Sequence, residues 1–222
     1  MLPIRDHLPT RTPAIVNYAI IAANLAVFVL EASRAGGGDS VERWALVPAR
    51  LLANPAAAAP TLLTHMFLHG GFSHVAGNML FLWIFGDNVE DFYGHITYLF
   101  FYLLCGIGSG LLHVLFNMNS TVPALGASGA ISGVMGAYAI LYPRSRILTL
   151  VFVFLVPIPA VLILGCWFIL QFLSAFGSLG AVGSAASGGV AWWAHVGGFL
   201  LGMLITIMAR GQQRSARWQS SG

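Results

Sequence analysis

Ser128 stands within Leu125-Gly126-Ala127-Ser128-Gly129-Ala130-Ile131-Ser132-Gly133, a stretch of small residues that opens a long apolar run. Glycines beside a hydroxyl let backbone, solvent or substrate approach closely. At the start of a helix, the first-turn N–H groups have no intrahelical partner and can donate to a developing negative charge. A serine hydroxyl is a poor nucleophile until a neighbouring base takes its proton. His195, in another apolar run, offers a neutral imidazole for that purpose. His74 and Asn78, four residues apart in a third run, share one helix face. No acidic residue falls at this depth, so the residues suggest a Ser–His dyad attacking a carbonyl. The Ser128 backbone N–H, the Asn78 amide and the His74 imidazole are the candidate donors to the oxyanion.

Positioning these groups requires membrane helices. Of the 222 residues, 58% are hydrophobic and only 8% charged, against about 25% charged in a soluble domain. Mean hydropathy is +0.82. The net charge of +3 comes from arginine alone, and the arginines cluster at the ends of apolar runs, which points to topology and away from nucleic acid. The runs predict an all-α, polytopic bundle of six transmembrane helices with a long first loop. Spans are expected at 14–33, 73–92, 95–116, about 128–142, about 147–173 (bent or interrupted by Pro157 and Pro159) and 191–209. Residues 1–13 read as a disordered or interfacial cytoplasmic segment, 14–209 as the membrane domain and 210–222 as a cytoplasmic tail. The first span reads as a signal anchor, with no cleavable signal peptide. With both termini inside, seven of the ten arginines are cytoplasmic, and the expected location is a bacterial inner (plasma) membrane.

Depth brings the polar groups together. At 1.5 Å per residue, Ser128 lies about 24 Å above Arg144, His195 about 22 Å above Arg210 and His74 about 24 Å above Glu90. In a hydrocarbon layer of about 30 Å all three meet a few ångströms below the outer surface. Small-residue stripes, Gly129/Gly133/Ala137 on the fourth span and Ala194/Gly198/Gly202 on the sixth, would let those helices touch closely.

Other features have plainer readings. His65 and His69 have the i, i+4 spacing of a zinc helix but lack the Glu of His-Glu-x-x-His, so no metal is expected. Cys105 and Cys166 sit in apolar runs and read as buried packing residues. The Gly177–Gly189 run reads equally as a flexible linker or as a lid beside His195.

Three stretches together resemble the rhomboid intramembrane serine proteases. They are His69-Gly70-Gly71-Phe72-Ser73-His74-Val75-Ala76-Gly77-Asn78, Gly126-Ala127-Ser128-Gly129-Ala130 and Ala194-His195-Val196-Gly197-Gly198-Phe199-Leu200-Leu201-Gly202. The resemblance implies that Ser128 is the nucleophile, His195 the general base, and His74 and Asn78 oxyanion-site residues, with no metal or cofactor. It also implies transmembrane-protein substrates cut near the outer membrane boundary. Two positions depart from the family pattern. Pro60-Thr61 stands where many members carry Trp-Arg, and Ser132 where many carry a Tyr that packs on the catalytic His, a task Trp192 or Trp193 could take over. A catalytically idle relative that binds membrane clients is the alternative. Loss of Ser or His would mark it, and this chain keeps both.

Overall fold

The computed structural model describes residues 1–33, 38–178 and 191–220. It is mostly helical, and α1 (Ile15–Ser33), α6 (Phe72–Tyr93), α7 (His95–Phe116), α8 (Ser128–Leu141), α9 (Ala160–Ser178) and α10 (Trp192–Ser220) form the bundle. Short helices α2 (Gly38–Trp44), α3 (Pro48–Ala53), α4 (Pro55–Ala58) and α5 (Thr61–Thr64), then a single 3-10 turn at His65–Phe67, fill the first loop. By length and composition α1, α7, α9 and Trp192–Gln212 of α10 can cross a membrane. Their outward faces are apolar: Val29, Phe100, Leu170 and Met208 are all exposed, as a lipid-facing surface requires. The chain is therefore a multi-pass membrane protein. Of the two remaining expected spans, α6 carries Asp87, Glu90 and Asp91 near its end. The other, α8, has 14 residues and reaches about 21 Å at 1.5 Å per residue.

The helix ends follow local chemistry. Between α6 and α7 the chain turns at Gly94, whose φ of 75° suits glycine. α8 stops at Tyr142, ahead of Pro143, which cannot continue it. The opening amides of α1 are closed by a residue far along the chain. The Glu90 carboxylate accepts from the N–H groups of Val16 (3.0 Å) and Asn17 (2.7 Å). Within the core, the Tyr98 hydroxyl donates to Asn17 Oδ1 at 2.8 Å, and Asn17 Nδ2 donates to the Leu82 carbonyl at 3.1 Å. These bonds satisfy an amide that would be costly unpaired in an apolar interior. Tyr98 and Leu82 belong to the same buried core as Phe85, Tyr102, Tyr138 and Met135.

Two expectations are corrected. Residues 1–13 are not wholly irregular, because β1 (Leu2–Asp6) pairs antiparallel with β2 (Arg146–Val151). The apolar run 147–173 is not one span: of the two expectations, bending and interruption at the prolines, the run is interrupted, and its first part is strand. β2 and β3 (Phe154–Pro159) form a hairpin at the edge of a three-stranded sheet ordered β1-β2-β3, and the helix begins only at Ala160. Continuous apolar runs of β-branched and aromatic residues carry no periodicity that separates strand from helix. Pro157 and Pro159 stand at alternate positions of an edge strand, where a missing N–H does no harm, and do not kink a helix. The sheet is tied to the bundle through Asp6, which accepts from the Tyr138 hydroxyl at 2.6 Å and from Asn88 Nδ2 at 2.9 Å. Cys105 is buried as expected, whereas Cys166 is exposed on α9. Beyond residue 210 the chain continues as helix to Ser220.

Candidate active site

Ser128 is the first residue of α8, and the backbone before it is fixed from the first loop. Gly126 N–H donates to the His65 carbonyl at 2.9 Å, and Leu46 and Ala124 exchange backbone bonds of 3.0 and 2.8 Å. Arg50 braces the loop by donating to the carbonyls of Glu42 and Ala45. Thr61, in the Pro60-Thr61 pair, is buried and donates to the Ala58 carbonyl at 2.7 Å. Gly126 has a φ of 119°, and a Cβ there would lie 2.8 Å from Nε2 of His74. Only glycine fits both the conformation and the space.

His195 lies in the first turn of α10, and close helix packing delivers it to Ser128. A Cβ on Gly198 would collide with the Gly129 carbonyl oxygen, and one on Gly202 with that of Gly133. The two helices thus touch backbone to backbone, as small-residue stripes allow. The facing is not quite stripe to stripe. The Cα hydrogens of Gly129 and Gly133 point at Ser109 and Cys105 of α7, while Gly136, not Ala137, receives the Phe199 backbone. The result is a 2.7 Å contact between Ser128 Oγ and His195 Nε2.

The other ring nitrogen has a partner that the sequence reading missed. His195 Nδ1 lies 2.7 Å from Gln171 Oε1, on α9. With Nδ1–H donating to this amide oxygen, Nε2 is left with its lone pair facing the serine. Trp167, one turn before Gln171, lies against the imidazole with ring centroids 5.9 Å apart, and Trp192 meets it edge-on at 6.2 Å. Ser132 does not hold the ring. It turns back to donate to the Ser128 carbonyl at 2.6 Å. Trp193 stacks on Phe116 at 3.8 Å. Gln171 was visible as a polar residue in an apolar run, but the expected 147–173 span gave no register from which to place it beside His195.

His74 and Asn78 line the same cavity as Ser128, Ser132, Gln171 and His195, an open space of about 470 Å³. Asn78 is buried, and its Nδ2 donates to His69 Nε2 at 3.0 Å. The rings of His69 and His74 pack edge to face at 5.2 Å. Burial pushes the His69 imidazole down to about 4, so it is neutral near pH 7 and able to accept. His65 donates from Nδ1 to the Thr61 carbonyl at 2.8 Å. Both histidines of the zinc-like spacing are thus engaged in hydrogen bonds, His65 within the loop and His69 with Asn78 of α6. Of the Gly177–Gly189 run, Gly177 and Ser178 close α9, and 179–189 lie outside the described residues.

A helical membrane bundle with a hydrogen-bonded serine–imidazole pair facing an open cavity defines the class. The Rhomboid domain profile matches residues 57–212, and the chain belongs to the rhomboid family. It is 28% identical to "Rhomboid protein 1, mitochondrial" of Saccharomyces cerevisiae over 98% of this chain and 62% of that protein. It is 33% identical to "RHOMBOID-like protein 6, mitochondrial" of Arabidopsis thaliana over 71% of this chain and 46% of that protein. Against "Rhomboid protease GluP" of Bacillus subtilis the identity is 45%, over 34% of this chain and 14% of the relative. The chain thus spans less than two thirds of the length of each of these relatives. Their mitochondrial, plant and bacterial origins give the expected bacterial inner membrane no support.

Proposed function

We propose that this chain is an intramembrane serine endopeptidase that cleaves single-pass membrane proteins near the outer membrane boundary. The observation that carries the reading is the 2.7 Å contact from Ser128 Oγ to His195 Nε2, with Gln171 behind the imidazole. In this mechanism Ser128 Oγ attacks the peptide carbonyl carbon and its proton passes to His195 Nε2. The oxyanion takes hydrogen bonds from the Ser128 N–H, the Asn78 amide and the His74 ring. Collapse expels the amine, which takes the proton back from His195 and leaves an acyl-enzyme at Ser128. Water then enters, gives a proton to His195, attacks the ester and releases the acid while Ser128 regains its hydrogen. A cavity of about 470 Å³ has room for water beside a peptide, since a water fills about 30 Å³ of liquid.

The same reading takes residues 14–209 as a six-span domain with both termini on the arginine-rich inner side. Because α8 covers about 21 Å of a hydrocarbon layer of about 30 Å, Ser128 lies roughly 9 Å below the outer surface when Tyr142 is at the inner one. Substrates whose helix is weakened near that depth by Gly or Pro expose a peptide bond most readily.

A fluorophosphonate probe tests this directly. The detergent-solubilised protein should be labelled, with labelling abolished in Ser128→Ala and collapsed in His195→Ala. Labelling that survives both changes would overturn the dyad, while a folded wild type that takes no label would favour the client-binding alternative.

A further inference from the structure

The β2–β3 hairpin carries an apolar tip that the catalytic reading does not use. Phe152, Val153 and Phe154 are 92%, 81% and 70% exposed, and Leu155 beside them is also exposed. The tip is a two-residue turn, since Val151 pairs with Phe154. Phe152 holds a φ of 54° there, a conformation in which glycine is the ordinary choice and a bulky residue is strained. A strained aromatic kept at a loop tip calls for a use. Facing water, an exposed apolar hairpin with a free edge invites aggregation.

The polarity is graded along the hairpin. At its base stand exposed Arg144 and Arg146, with Arg5 of β1 paired beside them opposite Leu148. The apolar surface runs on from β3 into α9, where Val161 and Leu162 are exposed on the helix face that meets lipid. On the outer edge of β3, prolines at 157 and 159 remove two of the N–H groups that would otherwise point away from β2. That lowers the cost of placing this edge in a poorly hydrated layer.

We infer that the tip Phe152-Val153-Phe154 is a lipid-inserting wedge. It enters the headgroup–acyl boundary of the leaflet at the end of α8 opposite Ser128, while Arg5, Arg144 and Arg146 meet anionic headgroups. Apolar residues in the boundary and arginines at the phosphates are the arrangement of interfacial anchors. The inference is independent of catalysis and needs only the membrane embedding.

Site-directed spin labelling in vesicles of phosphatidylcholine and phosphatidylglycerol tests it. A nitroxide is placed at Val153→Cys in a Cys166→Ser background. Native Cys166, exposed on α9, serves as the lipid reference, and a water-soluble nitroxide free in the buffer as the aqueous one. A wedge gives position 153 an oxygen-to-nickel-chelate collision ratio near that of Cys166 and several-fold above that of the free nitroxide. A ratio like that of the free nitroxide puts the tip in water and overturns the inference. Exclusion of both reagents, with dipolar broadening between copies that is lost on dilution with unlabelled protein, overturns it too, since the tip then packs on a second copy. Because Val153 is exposed, the label does not disturb the core, and Phe154→Cys repeats the measurement at a neighbouring site.

Discussion

His195 and Gln171 meet at 2.7 Å between Nδ1 and Oε1, joining α10 to α9 through the side of the imidazole that faces away from Ser128. An amide carbonyl here does one part of what the carboxylate does in a Ser-His-Asp triad. It fixes the tautomer and the ring orientation, but it places no negative charge beside the imidazolium formed during attack. Gln171 is thus a positioning residue. With Trp167 it fills the place left by Ser132, whose hydroxyl is spent on its own helix.

Removing that acceptor should slow turnover modestly. A hydrogen bond of this kind contributes about 0.5–1.5 kcal/mol net, so Gln171→Ala should lower kcat about two- to tenfold with KM unchanged. Gln171→Glu, which restores an acceptor oxygen, should recover most of the loss, and Gln171→Leu should not. Equal losses in all three variants would mean that the residue only packs.

Packing of α8 on α10 leaves no room for a methyl group. Gly198→Ala drives a Cβ into the Gly129 carbonyl oxygen, and overpacking of this sort costs about 1–3 kcal/mol. Thermal unfolding in detergent should shift down, and probe labelling of Ser128 should fall with it, because the collision lies one turn from His195. Gly165→Ala, with nothing within 4 Å of its Cβ, should change neither.

Asn78 should matter for rate well beyond its share of stability. Loss of one oxyanion donor costs about 2.7–4 kcal/mol, or 10²–10³ in kcat. Asn78→Ala should show that loss in a peptide-cleavage assay with its unfolding temperature close to wild type. His69→Ala, which leaves the Asn78 amide unanchored, should give a smaller drop in kcat. An unfolded Asn78→Ala protein would assign the residue to structure instead.

Stability should fall on mild acidification. Burial lowers both His65 and His69 from 6.5 to about 4. Between those values the unfolded chain binds more protons than the folded one. Their contribution is therefore complete above about pH 6.5 and is lost as the pH drops toward 4. Unfolding midpoints measured across this window should decline in wild type, and the decline should be shallower in a His65→Gln/His69→Gln double variant.

Much of the site could be read from the chain because its parts lie on regular helices. The limits of α7 match the expected 95–116, and α6 and α8 differ from theirs by a residue at most ends. Depth estimated from helical rise then brought Ser128, His195, His74 and Asn78 to one cavity. The failures fall where periodicity carries no information. An apolar run can be strand or helix, so the hairpin at 146–159 read as membrane span, and β1 pairs with a strand more than 130 residues away that local pattern cannot reveal. Gln171 was lost through the same error. The Asn78–His69 bond crosses from the loop to α6 and depends on how the 3-10 turn at His65–Phe67 redirects the chain.

The Glu90 carboxylate, set against the leading amides of α1, has a bearing on biogenesis. Synthesis delivers Val16 and Asn17 more than 70 residues before the group that seals them. Until α6 emerges, the first helix has only water or headgroups for those donors, so its seat in the bilayer stays provisional. The first helix should therefore gain its final seat only when the second long one arrives, the two settling as a pair.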